Sequence, residues 1–140
     1  MIAGVREMSA RVWVEILGWT ALALAAGCSC KNKVRVMAHS PDARLQAFAY
    51  ARECDGGATV GEHVHVSVLP RGQVPGDEDP NVLSADAGHD PSVPLDVRLT
   101  WETPTRLTIE IDPRVRFFRR HQWVRDVEIV YQPPRGPPHR

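Results

Sequence analysis

The chain has 140 residues, with 17 Lys and Arg against 17 Asp and Glu, so its formal net charge is zero. That length accommodates about one domain. The balanced charge excludes a protein held to nucleic acid by a global excess of basic residues. Twelve prolines mark a loop-rich chain.

Residues 16–28, ILGWTALALAAGC, form an apolar run that ends in small residues and a cysteine. Arg6 and Arg11 precede it as a positively charged n-region. The run is too short for a spanning helix, which needs about 20 apolar residues. Extending it back to Val12 would bring Glu15 into the bilayer, at a high energetic cost. It also lacks the polar stripe at 3.6 spacing of an amphipathic helix. A secretory signal over residues 1–27 is therefore expected. Its end is similar to a bacterial lipobox: Ala26, Gly27 and Cys28 fill the last three positions, with Leu24 one place early. Lipidation of the Cys28 thiol and cleavage before it follow as expectations. Two acyl chains anchor stably where one is marginal. The plainer alternative is an ordinary signal with Cys28 left as a thiol.

The cysteines are Cys28, Cys30 and Cys54. With Cys28 acylated, the other two make an even pair in an oxidising compartment, and a Cys30–Cys54 disulfide is expected. No second ligand pair with zinc spacing accompanies Cys28 and Cys30, so a metal site there is not expected.

After a polar tether at residues 28–33, the β domain is expected over 34–131. Val34, Val36 and Ala38 alternate onto one face, and residues 39–42 form a turn around Pro41. Residues 45–51 are apolar on both faces, as in a buried strand. Gly56, Gly57 and Gly61 mark a loop, but a strand follows them, which is the wrong context for a phosphate cradle. Residues 63–69 are the clearest strand. Val64, Val66 and Val68 point one way, His63, His65 and Ser67 the other. The stretch 71–80 is an exposed loop with an acidic tip, Asp77 to Asp79. Short strands follow near Val82 and Leu83 and over 95–101. Leu107, Ile109 and Ile111 then face inward, opposite Thr108, Glu110 and Asp112. A strand or bulge at 115–118 and a last strand at 124–131 complete the set. Residues 132–140 read as a disordered Pro-rich tail. Seven to eight short strands with turn signals between them predict an all-β fold, a small antiparallel sandwich or barrel-like meander.

Few residues suggest chemistry. His63 and His65 share one strand face, a spacing that can chelate a metal if His39, His89, Asp86 or Asp90 joins them. The competing reading is the solvent face of a half-buried sheet. No G-x-S-x-G stands in the chain, and no enzyme and no cofactor are expected. Arg114, Arg116, Arg119, Arg120 and Arg125 form the one basic cluster, with His121, Phe117, Phe118 and Trp123 among them. It reads as a contact surface for an anionic envelope surface or acidic partner, or as charge protecting an edge strand.

Ser40-Pro41-Asp42, Ala47 to Tyr50, Arg52-Glu53-Cys54, Gly57-Ala58-Thr59, 63–70, Asn81-Val82 and Ala85-Asp86 resemble a family of small uncharacterised bacterial lipoprotein-like proteins. Its pattern is S-P-D-G, then R-D-C-G-A-T-T, then an h-V-S-I-L-type strand. Ala43 stands where that family has its turn Gly. The resemblance implies a short lipoprotein-like protein with a β fold in the cell envelope, and no activity. The expected function is a membrane-anchored, non-enzymatic envelope lipoprotein that binds a protein partner or supports an assembly. The alternatives are a periplasmic inhibitor or immunity-type protein and a His-based metal-dependent enzyme.

Overall fold

The computed structural model describes residues 30–54 and 62–136. The leader, Cys28 and the glycines at 56, 57 and 61 lie outside them. The described chain is nine strands: β1 (Cys30–His39), β2 (Leu45–Cys54), β3 (His63–Pro70), β4 (Leu83–Asp86), β5 (Arg98–Thr103), β6 (Arg106–Glu110), β7 (Arg116–Arg120), β8 (Trp123–Val124) and β9 (Val127–Gln132). The expected all-β sandwich is what forms.

One sheet has five strands in the order β1-β2-β3-β4-β7, the other four in the order β5-β6-β9-β8. Period-two alternation builds both. Val64, Val66 and Val68 of β3, with Leu83 and Ala85 of β4, meet Leu107 and Ile109 of β6 and Val127 and Ile129 of β9 between the layers. All pairings are antiparallel except β6 with β9, which run parallel. The chain reaches β9 from β6 by crossing through β7 in the opposite sheet, as a parallel pair requires a crossover rather than a tight turn.

Several boundaries differ from the sequence reading. The tether residues 30–33 are strand: Cys30 pairs with Cys54 and Lys31 with Glu53. The two cysteines form a disulfide across that pair. Between Val34 and Val36 the register slips, with Val34 opposite Tyr50 and Val36 opposite Ala49. One extra residue, Arg35, therefore turns Val34 onto the outer face while Val36 and Ala38 keep the core face. Thr108 and Glu110, expected to face solvent, are 2% and 4% exposed. β6 is a central strand, paired on both sides, and Arg135 from the chain end reaches Glu110. Gln132 closes β9, its carbonyl accepting from Ile111 N, and the Arg135 amide donates to Glu110 Oε1. Residues 133–136 are exposed, and in this stretch Arg135 is tied back to Glu110; residues 137–140 lie outside the described set. Leu95 and Val97 pack on the core from a loop that precedes β5. The strand expected over 124–131 is broken by a two-residue turn at Arg125 and Asp126, where Arg125 takes φ 57°.

The β1–β2 turn keeps the geometry of a Gly-containing turn without the glycine. Ser40 Oγ donates to Asp42 Oδ1 and accepts from Leu45 N, and Ala43 is held at φ 59°. An L-residue pays roughly 1 kcal/mol there that Gly does not. Ala43→Gly is expected to stabilise the domain by about 1 kcal/mol, read as a higher urea midpoint with an unchanged m-value.

Candidate functional site

The outer face of the five-stranded sheet is only partly open. Phe48, Tyr50 and Leu69 on this face are buried, although they point away from the inter-sheet core. The loop 71–81 lies across them. The Asn32 side-chain amide donates to the carbonyls of Pro75 and Gly76, and Arg52 donates to those of Gly76 and Glu78. The Asn81 side chain accepts from Val68 N and donates to Val68 O, so it pairs with β3 as a strand residue would.

Beside this loop the face carries two cross-strand rows. In one, Tyr50, His65, Ser84 and Arg119 stand opposite one another along β2, β3, β4 and β7. In the other, His63 faces Asp86, and Asp86 faces Arg116. Phe118 of β7 shares the outer face with Arg116, and a second register slip there brings Arg119 onto the same face. The Phe118 ring stacks parallel on His63 with centroids 5.6 Å apart, under the Arg116 guanidinium at 4.9 Å.

A cavity of about 240 Å³ opens at the first row, lined by Arg52, His65, Asp79, Pro80, Ser84, Phe118 and Arg119. His65 stands half-buried in its lining. Among the described residues its Nδ1 is the one buried side-chain polar atom without a hydrogen-bond partner. Burial first, then the charges of Arg52 and His63, hold its pKa down at about 4, against a small opposing pull from Asp79. His65 is therefore neutral at physiological pH.

The sequence reading brought His63 and His65 to one face, and they lie there with rings 6.2 Å apart. Three of their suggested metal partners, Asp86, Asp90 and His39, are otherwise engaged. Asp86 takes a bidentate contact from Arg116, at 3.0 and 2.6 Å, which holds its carboxyl below the usual range. Asp90 accepts from the Ser92 amide and hydroxyl, and His39 Nδ1 pairs with Gln46. Among the described residues no three His, Cys, Asp or Glu side chains gather as metal ligands.

The basic cluster divides. Arg114 pairs with Asp112, whose pKa it lowers to about 2. Arg119 donates to Pro80 O at 2.6 Å and approaches Asp79 at 3.5 Å. Arg120 lies over the rings of Phe117 and Tyr131 at 5.0 and 4.5 Å. Arg125 sits in the β8–β9 turn, on the other sheet. β7 is an edge strand, so Arg116, Arg119 and Arg120 stand where charge protects an edge from pairing with another chain. Arg52, Ser84 and Asp79 were not singled out from the sequence. Arg52 could have been, since it continues the Phe48–Tyr50 face of β2; Asp79 lay in an acidic tip indistinguishable from a solvated one.

No family model, no curated protein and no solved structure matches this chain.

Proposed function

We propose that this chain is an exported envelope lipoprotein, a disulfide-stapled β module anchored through Cys28, and that it works by binding rather than by catalysis. The observation that carries the reading is the Cys30–Cys54 bridge, which uses both cysteines that follow Cys28. A disulfide is compatible with an extracytoplasmic location. The apolar leader and its A-G-C end supply the route and the anchor point. Only Ser29 then separates the acylated residue from β1, so the module stands on the membrane by the end that holds the bridge.

The test is Cys28→Ser in the native host. The expected result is loss of the protein from the membrane fraction. A variant that partitions like the wild type contradicts the anchor.

The inhibitor-type reading is favoured by the loop 71–81. Val74 is 71% exposed on it, while Asn32, Arg52 and Asn81 hold the same loop to the sheet. An exposed apolar residue on a preorganised loop suits insertion into a partner's cleft at low entropic cost. Capture of one stoichiometric enzyme partner by the wild type, lost in Val74→Asp, would establish that reading over the assembly role.

A further inference from the structure

We infer that the cavity on the outer sheet face binds a small oxyanion, the carboxylate, phosphate or sulfate group of a ligand, between Arg52 and Arg119 and beside His65.

Two guanidinium groups from strands that are not neighbours border the same small space: Arg52 from β2 and Arg119 from β7, with β3 and β4 between them. Cations converge at a cost unless a negative charge lies between them. Neither has that charge in full. Arg52 donates to neutral acceptors, the Asn32 side chain and two backbone carbonyls, and has no carboxylate partner among the described residues. Arg119's short contact is also to a carbonyl, that of Pro80. Its one ion-pair partner among the described residues, Asp79, is 3.5 Å away with a side chain 80% exposed. Both arginines are already positioned by these neutral contacts, so little ordering remains to be done on binding.

The remaining lining suits an anion. His65 has an unfilled buried hydrogen-bonding position, which native structures rarely leave without a reason. Ser84, its cross-strand partner, adds a hydroxyl. The groups that face His65 are Tyr50 and Arg52 from β2, His63 on its own strand, Ser84 from β4, Phe118 and Arg119 from β7, and Asp79 from the loop. Their charged members are mostly cationic, and they oppose protonation of the ring. An oxyanion in the cavity reverses that sign and favours the imidazolium. Asp79 acts as a built-in, weakly held competitor for Arg119.

The experiment is NMR titration of the His65 imidazole in the full chain in zwitterionic detergent, with sodium sulfate or with sodium chloride at equal ionic strength. Sulfate is expected to raise the His65 midpoint by about one pH unit, while chloride leaves it in place. Arg119→Gln is expected to weaken sulfate binding about tenfold. Asp79→Asn is expected to tighten it roughly two- to fivefold. Equal shifts in both salts would show screening alone and overturn the inference. Reconstitution into anionic phosphatidylglycerol vesicles without sulfate identifies the source. A shift there and not with sulfate assigns the oxyanion to a lipid headgroup, and no shift in either medium overturns the site. The wild-type comparison does not depend on any variant folding. Nor does the cavity depend on export, so an unacylated cytosolic chain would leave this inference standing.

Discussion

Replacing both Cys30 and Cys54 with Ser is expected to lower the stability of the β domain by about 3 kcal/mol. The bridge spans 24 positions in sequence and joins residues directly opposite in the β1–β2 ladder. It acts mainly on the unfolded chain, by removing the freedom of the loop it closes. It also pins an edge strand at its far end, since the other end of the hairpin is already closed by the turn at Ser40 and Ala43. The loss should therefore have a local component. Amides at residues 31–33 should exchange faster in the double variant, while those of β6 follow the global loss. Thermal unfolding of variant and wild type at matched pH measures the total. A change below roughly 1 kcal/mol would mean that the rest of the hairpin already constrains the unfolded chain.

Leu107→Ala is expected to have an effect of similar size, a loss of roughly 2–5 kcal/mol. Leu107 is fully buried at the centre of the sandwich, on a strand paired on both sides, with Trp101 on β5 and Ile129 on β9 as its neighbours in register. Strands held on both sides cannot collapse into the space left behind, so the cavity persists. For a domain of about this size a loss of 3 kcal/mol lowers the unfolding midpoint by roughly 10–20 °C. Calorimetry checks it. A fall of only a few degrees would show that this part of the core relaxes.

These two sites also separate what was readable in advance from what was not. Leu107 belongs to an alternating run whose inward face was plain, as was that of Val64, Val66 and Val68. The disulfide followed from counting cysteines once Cys28 was assigned to lipid. What local pattern did not carry is pairing between distant segments. Nothing in 106–110 or 127–132 announces that these strands run parallel. Thr108 and Glu110 look like solvent-facing residues, and nothing local announces that both are buried or that Arg135 returns to Glu110. The slip at Arg35 turns Val34 away from the face that simple alternation assigns it. The cavity is less legible still. His65 and Arg119 were each noticed, for metal binding and for a basic surface. Their approach to Arg52 depends on the strand order β2-β3-β4-β7, and the burial of Phe48 and Tyr50 depends on a loop twenty or more residues away folding back across them.

The account turns on an acylated Cys28 followed at once by a bridged, all-β module. The most direct measurement is the intact mass of the protein recovered from its host without reducing agent. The expected species lacks residues 1–27, carries the added mass of acyl groups and is two hydrogens lighter than its reduced form. A species that retains Met1 or Met8, with no added mass and with free thiols at Cys30 and Cys54, would contradict it.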